Sequence, residues 1–290
     1  MKYEGIVIRP PSEADSLLLQ VTVGCSHNRC TFCPTYKGSK FRIKSIEEID
    51  EDISEAMNYR YYRRVFLCDG DALIIPQQRL LEILHSIHTH LPWIERIGTY
   101  ANVKSILRKS GDELKVLGDA GLSIVYLGVE SGNDGILKTI RKGATYEQMV
   151  QTGHRIKEAG IILSVTVLLG IGGIDQGMEH ATDTGKILSE IDPDYAGALT
   201  VMVVPGTPLY NNLTSHQFTL PDAFGLLKEL QVIIEHTNVR HCFFTSNHAS
   251  NYLPIRAWFP EQKEETLRLI RKVIASSDKR LLRPEYLRAL

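Results

Sequence analysis

Short runs of apolar, β-branched residues alternate along the chain with longer stretches in which apolar side chains recur at the helical period. The runs at residues 18–24, RVFLC (64–68), RIGTYA (96–101), SIVYLGV (123–129), IILSVTVLLG (161–170) and YAGALTVMVV (195–204) predict six strands. Between them, SIEEIDEDISEAMNYR opens with the Ser and Glu spacing of a capping box and PQQRLLEILHSIHTH begins on a first-turn proline. GDELKVLGDAG and TYEQMVQTGHRIKEAG each close on glycine, as helices do. Nearly continuous apolar strands, each followed by a helix, point to parallel strand-helix-strand units buried on both faces. The expected fold is α/β: a partial (β/α)6 barrel of the TIM type over residues 18–205, with 1–17 as a lead-in. After the sixth strand come PGTPLYNNLTSHQFTLPDA, a helix FGLLKELQVIIEHTN, the polar stretch HCFFTSNHASNYLP and a charged last helix. Residues 206–290 are therefore expected to form a small C-terminal extension of helix and loop packed on the barrel.

Composition narrows the class. The 33 Lys and Arg nearly balance 34 Asp and Glu, so binding to nucleic acid through bulk positive charge is not indicated. The start, MKYEGIVIRPPSEADS, turns polar at once, and no run of about eighteen apolar residues exists to span a membrane. Of the five cysteines, three fall within nine residues, a crowding that suits a metal site in a reducing compartment better than a secreted disulfide framework. A cytoplasmic protein is expected.

Those three are Cys25, Cys30 and Cys33, in VTVGCSHNRCTFCP directly after the first strand, with four residues in the first interval and two in the second. A four-iron cluster normally takes four thiolates, so three with no fourth nearby leave one iron open to another ligand. A zinc site with His27 as fourth ligand is the competing reading, but His27 lies inside the first ligand interval, where reaching the same tetrahedral metal is strained. Loops at the C-terminal ends of parallel strands carry the active site in barrels, and this loop is expected at such an end. Phe32 is either a packing residue or a surface for adenine.

The cysteine loop resembles the signature of the radical S-adenosylmethionine superfamily, from whose commonest form it departs by one extra residue in the first interval. CDGDAL (68–73) resembles that family's glycine-rich motif for the methionine amino group. YLGVESGNDGILKTIRKG (126–143) resembles a segment shared by the elongator catalytic subunit, the tRNA methylthiotransferases and the oxygen-independent coproporphyrinogen oxidases. The resemblance implies a [4Fe-4S] cluster and S-adenosyl-L-methionine as cofactors. It places Gly70 and Asp71 near the methionine ammonium, although Asp71 equally suits a helix N-cap. It places Glu130, Ser131 and Gly132 where a carboxylate meets the ribose or the amino group, and Ser164 or Thr166 on one strand face toward the ribose. The glycines of LLGIGG (168–173), Gly170 among them, would lie along the adenine or serve a tight turn. Arg141, Arg155 and Lys157 are each a partner for the methionine carboxylate or a solvated helix charge.

The activity implied is reductive cleavage of S-adenosylmethionine to a 5'-deoxyadenosyl radical that abstracts hydrogen from a substrate, small or macromolecular, with a reducing donor such as flavodoxin or ferredoxin. PGTPLY (205–210) and the dense polar group Asn247, His248, Asn251 and Tyr252 are the candidates for the substrate side; an ordered surface loop is the plainer account of the latter. Cys68 and Cys242 read as small buried hydrophobes. An electron carrier or cluster scaffold without radical chemistry, and an enzyme like the oxygen-independent coproporphyrinogen oxidases, are the alternatives.

Overall fold

The computed structural model describes residues 1–289, which form two compact units. The first comprises Met1–Asn28, Thr35–Leu127 and His154–Leu163; the second comprises Arg29–Pro34, Gly128–Gly153 and the chain from Ser164 onward.

In the first unit, β1 (Leu17–Gln20) pairs in parallel with a later strand, while β2 (Thr22–Val23) turns away into an antiparallel ribbon with β3 (Arg42–Ile43). The first expected strand is thus two. Val21 still donates to the Cys68 carbonyl, but the Thr22 hydroxyl accepts from the Asp69 amide, and from there the chain pairs with Ile43 and Arg42 instead. The cysteine loop therefore grows from a small ribbon and not straight from a barrel strand. Helix α1 (Ile46–Ala56) starts on the expected box, with Ser45 and Glu48 capping each other. Strand β4 (Arg64–Cys68), α2 (Gln77–His90), β5 (Arg96–Ala101), α3 (Val103–Leu107), α4 (Gly111–Asp119) and the first part of β6 (Leu122–Glu130) follow.

Parallel register aligns Leu18, Phe66, Gly98 and Ile124 across these strands. On that face Phe66, Tyr100 and Tyr126 meet edge to face at 5.0 to 6.1 Å, beside the buried Cys68 thiol, which burial pushes up in pKa. Val65, Leu67, Ile97 and Val125 point the other way and are buried, as are Ile49 and Ile53 of α1 and Leu80, Ile83, Leu84 and Ile87 of α2.

In the second unit, α5 (Asp134–Thr139), α6 (Tyr146–Glu158, its last turn belonging to the first unit), β7 (Ile162–Leu169), α7 (Gly173–Ile191) and β8 (Tyr195–Thr200) continue the alternation. Then come α8 (Pro208–Thr214), α9 (Ala223–His236), β9 (Cys242–Thr245), β10 (Arg256–Phe259) and α10 (Lys263–Ser276). The C-terminal extension is not helix and loop alone. It adds β9 in parallel to β8 and β10 antiparallel to β9. The reason is a period of two that the neighbouring Asn and Ser obscured: Cys242, Phe244, Ala257 and Phe259 are buried, while Arg256 and Trp258 are exposed. Cys242 is a buried strand residue, as its type suggested. Strand β8 ends at Thr200, four residues earlier than expected.

Candidate cofactor site

Around Cys25 the first unit brings three segments together. Gly24 holds φ at +75°, a left-handed conformation that turns the chain off β2. A side-chain carbon on Gly70 would lie 2.9 Å from both the Cys25 Cβ and the Tyr36 Cε2, so the backbone at Gly70 approaches the thiol residue as only glycine permits. Asp69, buried, accepts from the Gln20 amide at 2.8 Å and from the Tyr36 hydroxyl at 3.2 Å; burial raises its pKa.

Asp71 makes no side-chain cap, although it stands at the start of a short 3-10 turn. Its Oδ2 accepts from the Ser26 hydroxyl at 2.5 Å and the Asn102 amide at 2.6 Å. Its Oδ1 accepts from the Ser105 hydroxyl at 2.6 Å and the Asn102 backbone at 3.3 Å. Burial pushes this carboxyl up to about 6 against the pull of those donors. Asn102 itself caps α3 and donates to Ser26 at 2.9 Å.

In the second unit the segment 29–34 carries Cys30 and Cys33. Thr31, buried between them, donates its amide to the Ile140 carbonyl at 2.9 Å and accepts from the Leu209 amide at 3.0 Å. PGTPLY thus meets the cysteine segment through α8. Phe32 is half-buried. None of the five cysteines is in a disulfide, and among the described residues no three His, Cys, Asp or Glu side chains group around a single metal ion.

Glu130 sits at φ +65° at the end of β6, its carboxylate paired with Lys142 at 2.8 Å; Gly128 leaves the space, since a side-chain carbon there would lie 2.2 Å from the Glu130 Oε1. Lys142 was not singled out in the sequence. Ser131 and Gly132 are anchored inward rather than turned to an open face. Ser131 Oγ bonds His180 Nδ1 at 2.8 Å, and the other ring nitrogen reaches the Leu168 carbonyl at 3.0 Å. Burial lowers His180 to about 4, so the ring is neutral, donating from Nε2 and accepting at Nδ1. Gly132 packs on α7: a side-chain carbon would lie 2.1 Å from the Asp183 carbonyl oxygen.

Ser164 and Thr166 share the half-buried face of β7, with Gly197 and Thr245 continuing the Thr166 row on β8 and β9. Gly170, at φ +81°, spends its amide on Glu229 of α9, so its glycine serves a turn. Arg155 donates to the Leu107 and Lys109 carbonyls at the end of α3, which makes it a helix-end partner; Arg141 is exposed and Lys157 half-buried.

The polar group after β9 divides. Asn251 is buried and structural: its amide donates to the Ala198 and Ser246 carbonyls at 2.7 and 2.9 Å and its oxygen accepts from Thr200. His248 bonds locally to Ser250, and Asn247 meets Arg256. The Tyr252 hydroxyl donates to Glu285, while Arg288 donates to that hydroxyl at 2.6 Å and stacks its guanidinium over the ring at 4.1 Å.

Comparison with known proteins follows the same outline. The model of the Radical SAM superfamily matches residues 19–184. An uncharacterised methyltransferase of Pyrococcus horikoshii is 26% identical over 204 residues, 68% of this chain and 42% of that protein. A tRNA-2-methylthio-N(6)-dimethylallyladenosine synthase of Dehalococcoides mccartyi is 28% identical over 199 residues, 66% of this chain and 46% of that protein. The chain spans less than half the length of these relatives. Among solved structures, the radical S-adenosylmethionine methyltransferase TsrM of Kitasatospora setae, with cobalamin and a [4Fe-4S] cluster bound, superposes with a TM-score of 0.57 at 20% identity, over 69% of this chain and 39% of its own. That likeness shows the fold, the α/β partial barrel expected from the strand and helix alternation. With more than half its length matched from β1 to α7, the chain belongs to the Radical SAM superfamily.

Proposed function

We propose that the chain is a radical S-adenosylmethionine enzyme that holds a [4Fe-4S] cluster through Cys25, Cys30 and Cys33. The observation that carries this reading is that all three cysteines of the loop lie inside the matched residues 19–184, in a chain without disulfides. The donor set fits the group: three thiols with no fourth in the loop suit four irons with one left open, and the cradle at Gly70 keeps Cys25 uncrowded. When bound, the reduced cluster and S-adenosyl-L-methionine supply homolytic cleavage of a sulfonium carbon bond, giving methionine and a 5'-deoxyadenosyl radical that takes hydrogen from the substrate.

The chain's own part is placement. Thr31 ties the Cys30 and Cys33 segment at both its amide and its carbonyl, and Glu130 offers the carboxylate oxygen that Lys142 leaves unpaired to a ribose or ammonium group. Ser164 and Thr166 present hydroxyls on one face of β7, and Phe32 offers a ring beside the last cysteine. We assign residues 18–205 to the catalytic barrel and 206–290 to an extension on the substrate side, where His248 and Tyr252 remain the candidates. Among the described residues no helix is long and apolar enough to cross a membrane. A cytoplasmic site of action, with flavodoxin or ferredoxin as reductant, keeps the thiols reduced and supplies the electron.

Anaerobic reconstitution followed by dithionite and S-adenosylmethionine tests this reading, with 5'-deoxyadenosine as the readout. Product is expected from the wild type and not from Cys30→Ala; undiminished product from the variant sinks the cluster assignment.

A further inference from the structure

Two consecutive loop residues meet two consecutive residues just beyond β4. Cys25 packs on Gly70, where a side-chain carbon would come within 2.9 Å, and the Ser26 hydroxyl donates to Asp71 at 2.5 Å. We propose that Asp69, Gly70 and Asp71 form a clamp that presets Cys25 for the cluster, with Asp71 a positioning residue and not the partner of the methionine ammonium. The inference rests on the cluster reading above.

The hydrogen-bond count decides it. A carboxylate has about four acceptor sites. Asp71, fully buried, fills them with Ser26, Ser105 and two donors of Asn102. Asp69, also fully buried, accepts from Gln20 and Tyr36. An ammonium group at Asp71 would have to displace one of these donors. The clamp is closed on its far side too, since Tyr36 both bonds Asp69 and touches the space at Gly70, and Asn102 bonds Ser26 as well as Asp71.

The test uses the full chain, reconstituted anaerobically, in four forms: wild type, Ser26→Ala, Asp71→Asn and the double variant. Iron and sulfide per chain, the rate at which a chelator strips the cluster, and S-adenosylmethionine binding per loaded cluster are measured. Ser26→Ala and Asp71→Asn are each expected to lose the cluster about tenfold faster, the worth of one charge-assisted hydrogen bond, and the double variant no faster than either. Cofactor affinity per loaded cluster is expected to stay within about twofold. Ser26→Ala removes only a hydroxyl, so it decides the matter should Asp71→Asn fail to fold. Wild-type cluster retention in Ser26→Ala overturns the clamp, as does an Asp71→Asn protein that keeps its cluster and loses only cofactor binding. A wild type that takes up no cluster removes the enzyme reading itself and the clamp with it.

Discussion

The backbone amide of Gly170 donates to Oε2 of Glu229 at 2.6 Å, joining the turn after β7 to the middle of α9. Glu229 is fully buried and its Oε1 has no hydrogen-bond partner among the described residues; Gly177 of α7 makes the room it occupies. Burial pushes this carboxyl up from 4.5 to about 8, so the folded protein keeps a proton that the unfolded chain releases. Its contribution to stability is therefore complete below pH 4.5, declines as pH rises toward about 8, and is flat beyond. The slope inside that window is at most about 1.4 kcal/mol per pH unit. Glu229→Gln is expected to flatten it, as read from denaturant midpoints across the window; an unchanged slope would assign the effect elsewhere.

Gly132 has no room to grow. A methyl group there would sit 2.1 Å from the Asp183 carbonyl oxygen, a backbone atom of α7 that cannot swing aside. Gly132→Ala is expected to cost about 3 kcal/mol or more, seen as a large fall in melting temperature. A shift of only a degree or two would show that β6 and α7 part more easily than their contact suggests.

Asn251 and His248 are predicted to separate fold from function. Asn251→Ala strands two buried carbonyls, Ala198 and Ser246, and is expected to destabilise by about 2 to 4 kcal/mol. His248→Ala loses only a local bond within its own turn, so its stability is expected to change by less than about 1 kcal/mol. If turnover with substrate falls in His248→Ala while iron content holds, the ring belongs to the substrate side; unchanged turnover removes it from the site.

Arg288 is buried by its contacts with Tyr252, the Ser250 carbonyl and the Met202 sulfur, and Arg283 donates to the carbonyls of His248 and Asn251. Tyr252→Leu removes both the stacking surface and the hydroxyl. Trypsin is expected to cut after Arg288 about tenfold faster in that variant, the equivalent of losing one cation-π contact and a hydrogen bond. Equal cleavage rates would mean that Tyr252 does not hold this segment down.

What could be read in the sequence was whatever repeats at short range. Apolar runs gave the barrel strands because two-sided burial leaves their composition almost uniform. Cysteine spacing gave the loop because three thiols within nine residues are rare by accident. The split at Val21 was hidden, since no change of residue type marks where a strand exchanges one partner for another. Strands β9 and β10 were hidden because neighbouring Asn and Ser obscured their period of two. Ser26, Tyr36, Asn102, Lys142, His180 and Glu229 escaped notice for a different reason. Each acts through a partner set by the fold: Ser26 meets Asp71 45 positions away, and Ser131 meets His180 49 away. Pattern within a window does not reach that far, so the fold contacts of Asp71, Gly132 and Gly170 could not be read from residue type.

Thr31 couples the segment of Cys30 and Cys33 to α8. Its amide and carbonyl are both taken, one by the turn after α5 and the other by the first turn of α8, so the short span bearing Cys30 and Cys33 has no slack of its own. Any shift of α8 pulls directly on the peptide between Cys30 and Cys33. Slow exchange of a single amide proton, that of Thr31, is expected while this span is held, and faster exchange once α8 moves.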